Sequence, residues 1–381
     1  MVLKKASHVT IQPDTGYKEG MRAVRSASLF SFEILTQRTF RIPNVSTTQR
    51  SLNTEASRDV VSMPLHRIID RRRKLLTLMS RYRMHIKDDE QRIAKFVQME
   101  SNLKDELTKQ FTYENLSIHR LEDSDIPMLY PMISSNEHVH PLYQPSDLQL
   151  RIKDSRRVYI LYHPNMAHDK LPWEVPLGFC CMSLREAMPK TMKDIYSSVT
   201  TNSPSYAVFY SINSTQKGLS GIEMGHFLLK KIISELQRDA PDVNRFCTFS
   251  PIPNFRNWLG QQQISSSPTS HVDHLLQIAS PCNDQDAMHH ESTMMELCAH
   301  YLHDCKRKRH AADPVAHFHL KNGAMLGPLF WAADGSPLRK SQSFGMMVSY
   351  IYHLQTKEKN ADDYLQRGKI AVSDQFPKNK T

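Results

Sequence analysis

Between Pro64 and Phe111, apolar residues recur every three to four positions, at Leu65, Ile68, Ile69, Leu75, Leu76 and Met79 and again at Ile93, Phe96, Val97, Leu103 and Leu107. That period predicts two or three amphipathic helices. Asp88, Asp89 and Glu90 suit the first turn of the second helix, where negative charge opposes the macrodipole. After about Thr112 the texture changes. Arg157-Val-Tyr-Ile-Leu-Tyr162 and Leu177-Gly-Phe-Cys-Cys-Met182 predict strands joined by a polar, proline-containing turn. Tyr206 to Ile212 predicts a third strand, Phe227 to Leu236 a long helix, and Arg245 to Phe249 a fourth strand ending at Ser250-Pro-Ile-Pro253. Strand, helix, strand implies a crossover unit. Farther on, Ala316-His-Phe-His-Leu320 precedes an Asn322-Gly323 turn pair, and Phe344 to Leu354 reads as a further helix or strand. The stretch from Gln261 to Pro314 carries one helical patch, around Met294 to Leu302.

The third strand runs into Gln216-Lys-Gly-Leu-Ser-Gly-Ile-Glu-Met-Gly225, where Gly218, Gly221 and Gly225 would let backbone approach a ligand and the following helix would present free N–H groups. An anion carrying phosphates fits such a corner, and so does an ordinary tight strand-to-helix connection. Neither Gly-x-x-x-x-Gly-Lys-Ser/Thr nor Gly-x-Gly-x-x-Gly is present, so ATP and NAD lose ground to other phosphorylated ligands. Ligands of α/β sheets lie beyond the carboxyl ends of strands, which puts this turn and Ser250 on one edge. Ser250 could equally cap the short helix carrying Phe255, Trp258 and Leu259. His317 and His319 would share a face if their segment is extended, and Glu223 is favourably placed at a helix start.

With 381 residues, two unequal domains are expected. No apolar run approaches the ~20 residues that cross a bilayer, so no integral membrane contact is expected. The net charge of +10 leaves nucleic acid, an anionic surface or an acidic small molecule open. Its densest stretch, Arg67, Arg71, Arg72, Arg73, Lys74, Arg81 and Arg83, reads as a solvated helix face, and no aromatic-interleaved basic stripe favours nucleic acid. Six cysteines without a CxxC pair fit free thiols in a reducing compartment. Cys298, His300, His303 and Cys305 match no usual zinc spacing, so no metal is expected. Residues 1 to about 60 hold nine Lys or Arg against five Asp or Glu, and read as disordered with a hydroxyl-rich Arg22 to Arg41 portion that suits a targeting segment. A mitochondrial matrix location is the expectation, a cytoplasmic one the alternative. The chain ends Lys378-Asn-Lys-Thr381, which is not a peroxisomal signal.

Three ordered motifs narrow the field: Tyr210-Ser-Ile-Asn-Ser-Thr-Gln-Lys-Gly-Leu-Ser-Gly-Ile-Glu-Met-Gly225, Phe249-Ser-Pro-Ile-Pro-Asn-Phe255 and Pro314-Val-Ala-His-Phe-His-Leu-Lys-Asn-Gly-Ala324. Together with His138-Val-His-Pro141 and Gly345-Met-Met-Val-Ser-Tyr350, they resemble the malonyl-CoA decarboxylase family over about Thr112 to Phe376. The resemblance implies an α+β or α/β chain, with a helical N-terminal domain (61–111) followed by an acetyltransferase-like mixed sheet flanked by helices (112–376) and a short tail (377–381). It maps the acyl-CoA loop onto Ser220, Gly221, Ile222, Glu223, Met224, Gly225 and His226. It further implies that Ser250 and His319 are catalytic, that Tyr352 lies near the site, and that His317 is not the matched histidine. The helical part is shorter than the resemblance implies, and the region between Ser250 and His319 is shorter and more polar.

The implied reaction converts malonyl-CoA to acetyl-CoA and carbon dioxide within fatty-acid metabolism, in a homo-oligomer. Losing carbon dioxide from a malonyl thioester leaves an enolate, which needs hydrogen-bond donors at oxygen and a proton at carbon. The thioester is its own electron sink, so no metal or organic cofactor is expected. An N-acyltransferase and a non-catalytic acyl-CoA-binding protein remain alternatives on the same fold.

Overall fold

The computed structural model describes residues 63–85, 90–166, 171–198, 203–263, 266–279 and 289–377. The expectations for residues 1 to about 60, for Asp88 and Asp89, for Cys282 and for Lys378 to Thr381 lie outside them. Two helices open the described chain, α1 (Leu65–His85) and α2 (Glu90–Gln110). They hold the apolar positions predicted from their period, with Ile68, Ile69, Leu75, Leu103 and Leu107 all buried.

An eight-stranded mixed sheet follows. Its strands are β1 (Ser117–Arg120), β2 (Arg156–Tyr162), β3 (Gly178–Arg185), β4 (Tyr206–Ser214), β5 (Arg245–Thr248), β6 (Ser250–Pro251), β9 (Met325–Phe330) and β10 (Met347–Tyr352). A separate two-stranded hairpin of β7 (Lys306–Arg307) and β8 (His310–Ala311) falls between. The sheet runs β1-β2-β3-β4-β5-β10-β6, with β9 also pairing β10. Among the strands of the described residues, only β4 and β5 pair in parallel, so the predicted crossover unit is present between them.

Helices cover both faces. On one, α1, α2 and α6 (Met224–Asp239) pack Leu107, Leu228, Ile232 and Leu236 against Tyr159, Leu161, Met182 and Phe209. On the other, α3 (Ile126–Asn136), α4 (Pro145–Leu150) and α5 (Met192–Tyr196) pack Ile133, Leu148 and Ile195 against Ile160, Phe179 and Val208. Coverage on both faces explains why β3 is buried at all eight positions and reads as a continuous apolar run. Leu107, Ile133, Ile160, Phe179 and Leu236 are wholly buried, and each such side chain contributes roughly 1.5–3 kcal/mol. No helix among the described residues is long and apolar enough to cross a membrane.

The remaining helices are α7 (Phe255–Gln261), α8 (His271–Ala279), α9 (Glu291–His303), α10 (Pro314–Lys321), α11 (Pro337–Ser343) and α12 (Lys357–Arg367). Two open readings resolve here. Phe344 to Leu354 resolves as a strand, β10, and the segment around His319 is helical rather than extended. Asp313 caps α10, its carboxylate accepting from Val315 N at 2.9 Å and Ala316 N at 3.0 Å, and Pro314 occupies the first turn. The Asn322-Gly323 pair then ends that helix, Gly323 standing at φ +84°.

Candidate active site

Pairing between β4 and β5 ends at Phe209↔Thr248. The chain after Thr248 turns away to β6, whose Ser250 and Pro251 pair with Val348 and Met347 of β10. The last residues of β4 therefore run on without a β5 partner, beside the turn that leads into α6. Ser250 sits at this parting of strands, 6% exposed. It is not a helix cap: Asn254 occupies the N-cap of α7, and the Ser250 hydroxyl donates to Thr248 Oγ1 at 2.8 Å.

Across from Ser250, α10 delivers His319. Its Nε2 lies 3.4 Å from Ser250 Oγ, and its Nδ1 lies 2.8 Å from the Tyr352 hydroxyl. The imidazole is stacked on Tyr350, with centroids 4.5 Å apart and planes at 22°. Because α10 is a helix, His317 and His319 do not share a face. His317 Nδ1 instead meets the Tyr364 hydroxyl at 2.8 Å.

Burial pushes the His319 imidazolium down to about 3, so the ring is neutral at physiological pH. Burial likewise pushes the Tyr352 phenol far up, so it keeps its proton. A neutral phenol with no other acceptor at hand donates to His319 Nδ1, which leaves the ring proton on Nε2, facing Ser250 Oγ. Ser250 in turn gives its proton to Thr248 Oγ1, which also accepts from Tyr350 N at 3.1 Å. The array Tyr352, His319, Ser250, Thr248 thus turns one N–H donor toward Ser250 Oγ, where β5 and β6 part. Asp313 anchors the helix from below; it is fully buried, and burial raises its carboxyl to about 6 despite the two cap N–H groups and the Tyr301 hydroxyl at 3.2 Å.

The turn between β4 and α6 differs from its sequence reading in one respect. Two of its three glycines make room for protein rather than ligand. A Cβ on Gly218 would lie 2.1 Å from the Ile69 carbonyl oxygen, and one on Gly225 would lie 2.7 Å from Phe318 Cζ. Gly221 is the conformational one, at φ +77°, where a side chain is strained. Ser220, Gly221 and Glu223 are exposed, whereas the Met224 side chain is buried in the core and Ile222 packs against it. Met224 therefore offers a ligand only its backbone. Glu223 occupies the N-cap of α6 without a capping bond, because its carboxylate pairs with Lys321 Nζ at 2.9 Å. His226 Nδ1 meets Asn322 Oδ1 at 3.2 Å. Lys321 and Asn322 end the helix that carries His319, so turn and histidine are clasped together.

Several of these partners were not read from the sequence. The Asp313-Pro314 pair was a helix-start signal in plain view, outweighed by Asn322-Gly323 read as a hairpin turn. Thr248, Tyr350, Lys321 and Asn322 carried no local signal. The basic run on α1 is not wholly a solvated face either, since Arg72 is 2% exposed and bonds the Gly218 carbonyl. The four residues weighed for zinc are dispersed: Cys298 lies in the core, while His300 and His303 both bond Asp304, at 3.0 and 2.5 Å.

The family model for the malonyl-CoA decarboxylase C-terminal domain matches residues 115–379. The chain belongs to the malonyl-CoA decarboxylase family. The mitochondrial malonyl-CoA decarboxylase of Anser anser anser is 32% identical over 311 residues, 73% of this chain and 60% of that protein. The mitochondrial enzyme of Mus musculus is 31% identical over 312 residues, 73% and 62% of the two chains. The matched region thus spans about 60% of those relatives. Among solved structures, malonyl-CoA decarboxylase from Rhodopseudomonas palustris superposes with a TM-score of 0.67 at 28% identity, covering 82% of this chain and 75% of that one. The Agrobacterium vitis enzyme gives 0.68 at 27%, with the same coverage. The mixed sheet flanked by helices behind a helical segment is the arrangement expected from the family.

Proposed function

We propose that this chain decarboxylates malonyl-CoA to acetyl-CoA at the opening between β4 and β6. The observation that carries the reading is the Tyr352–His319–Ser250 array, which sets a neutral Nε2–H donor against the Ser250 hydroxyl, on the helix whose end clasps the Ser220 to His226 turn. The pantetheine arm would lie along the edge of β4 left open beyond its β5 pairing, and the CoA phosphates would meet Ser220, Gly221 and the first-turn N–H groups of α6, including those of Gly225 and His226.

The chemistry follows from charge. The Cα–carboxylate bond breaks, its electron pair enters the thioester carbonyl as an enolate, and carbon dioxide leaves. His319 Nε2–H and the Ser250 hydroxyl, once rotated away from Thr248 Oγ1, donate to the enolate oxygen, in a buried setting where such bonds count for most. The substrate's negative charge beside His319 favours the imidazolium that burial alone disfavours, so the ring takes up one proton from water with substrate. The added proton settles on Nδ1, the Nε2 proton passes to the enolate carbon beside Ser250, and the ring is left neutral with its proton on Nδ1 until it exchanges with water. The thioester carbonyl is the electron sink, so no metal or organic cofactor enters the balance.

The relatives' mitochondrial names and the basic, hydroxyl-rich Arg22 to Arg41 stretch support a mitochondrial enzyme of fatty-acid metabolism, which we expect to act as a homo-oligomer. Incubation of the purified protein with malonyl-CoA is expected to release carbon dioxide and acetyl-CoA in equal amounts without an acceptor. Ser250→Ala and His319→Asn should each lower kcat by roughly a hundredfold or more. Acylation of an added amine with no carbon dioxide from malonyl-CoA would instead establish an acyltransferase.

A further inference from the structure

We propose that the α1–α2 hairpin forms one wall of the acyl-CoA seat, with Arg72 as a positioning residue for the turn and Lys104 as a cationic ligand of a CoA phosphate. This rests on the acyl-CoA reading above. Arg72 is 2% exposed, and its Nη1 donates 2.7 Å to the carbonyl of Gly218, 146 residues along the chain. Its Nε and Nη2 both reach Glu100 Oε1 on α2, at 3.1 and 2.5 Å. A buried guanidinium is retained at a desolvation cost unless its donors are met, and here they are met by one carboxylate of the hairpin and one backbone oxygen of the turn. The backbones touch directly as well, since a Cβ on Gly218 would strike the Ile69 carbonyl oxygen at 2.1 Å. The shape of the turn is therefore a property of the hairpin.

Lys104 stands one helical turn after Glu100, on the same face of α2. While Glu100 is engaged by Arg72, Lys104 forms no ion pair among the described residues. Its Nζ lies 3.7 Å from where a Cβ on Gly221 would stand, and its Cε 3.8 Å. An ammonium without a carboxylate thus borders the exposed, left-handed residue of the turn. Arg71, on the same hairpin, is 7% exposed and its Nε and Nη1 meet no acceptor among the described residues, so the hairpin carries a second cation without a partner. A phosphate seated on the turn would be the counter-charge, and Gly221, lacking Cβ, leaves the approach to Lys104 open.

The test compares the full-length wild type with K104M, R72K and the double variant R72M/E100Q. Coenzyme A binding is measured by calorimetry, and kcat and KM with malonyl-CoA. For K104M, the Kd for coenzyme A and the KM should both rise about tenfold at low salt, with saturated turnover within about twofold and the gap narrowing as salt screens the contact. R72M/E100Q should raise KM more than it lowers kcat, and R72K should restore only part, because an ammonium cannot serve Gly218 and Glu100 in the guanidinium's fork geometry. K104M lies at the surface of α2 and carries the test alone should the double variant fail to fold. Wild-type Kd and KM in K104M would overturn the proposal. If the wild type binds coenzyme A but releases no carbon dioxide, the decarboxylase reading falls while the binding titrations still decide for or against the hairpin.

Discussion

Acid should destabilise this protein through His319, by an amount that can be worked from its surroundings. In the unfolded chain the imidazole titrates near 6.5; folded, burial holds it down to about 3. Below pH 6.5 the unfolded state therefore binds a proton that the folded state refuses, so stability rises with pH across this window and is lost as pH falls. At 1.36 kcal/mol per pH unit, the roughly 2.5 units between 6.5 and 4 amount to about 3 kcal/mol, a large share of the ~5–15 kcal/mol that holds a typical domain. Fully buried His140 adds a loss of the same sign. Asp313 works the other way, because its raised carboxyl favours folding below about pH 4 and loses that contribution as pH climbs through about 6. A whole-protein pH curve mixes these terms, and a single-residue difference separates them.

The perturbation that isolates His319 is His319→Asn, whose side-chain amide can still meet Tyr352 but cannot titrate. Urea unfolding of wild type and variant at pH 7, 6, 5 and 4, followed by tryptophan fluorescence, gives the stability gap at each pH. At pH 7 the wild type should be the more stable, since the variant loses packing on Tyr350. The gap should shrink by about 3 kcal/mol on going to pH 4. A gap that stays constant across this range would refute the claim that the buried ring is held neutral, and with it the tautomer assigned to Nε2.

Two further outcomes are expected. Tyr352→Phe removes the donor to His319 Nδ1, so steady-state kinetics with malonyl-CoA should show kcat falling at least about tenfold with KM held, while urea unfolding reports a loss of roughly 1–3 kcal/mol from the stranded nitrogen. Gly218→Ala drives a methyl into the Ile69 carbonyl oxygen at 2.1 Å and should cost roughly 1–3 kcal/mol, read as a thermal midpoint lower by several degrees; an unchanged midpoint would show that the hairpin and turn are not in backbone contact.

What could be read from the sequence divides along a physical line. Periodicity reports burial, so α1, α2, the strands from β2 to β5 and helix α6 were legible from spacing alone, as was the parallel β4–β5 pair. The motifs carried by family resemblance brought Ser250, His319 and Tyr352 onto the page, and these three come together in space. What stayed hidden depends on long-range contact. Nothing local to Gly218 or Gly225 says that the neighbours they admit are Ile69 and Phe318 rather than a ligand, and nothing local to Arg72 says that its acceptor lies 146 residues away. The helix around His319 was not fixed by its own residues, because His-x-His alternation suits a strand while Asp313-Pro314 suits a helix start.

That helix explains how the site holds together. Along eight residues, α10 presents Phe318 to Gly225, His319 to Ser250 and Tyr352, and Lys321 to Glu223, while Asn322 at its end reaches His226. The contacts of Phe318, Lys321 and Asn322 grip the start of α6, where the phosphates of CoA are proposed to sit, and that of His319 aims the proton-bearing nitrogen. A shift of α10 along its axis would therefore move the proposed acid and the proposed phosphate seat together. Placing both on one capped helix fixes the distance from phosphate to reacting carbon, which is the quantity a long, flexible acyl-CoA cannot fix for itself. The Glu223–Lys321 pair is half exposed on the carboxylate side, so its own contribution to stability is small. Its consequence is geometric, and it should be felt in the alignment of substrate with His319 rather than in the melting of the fold.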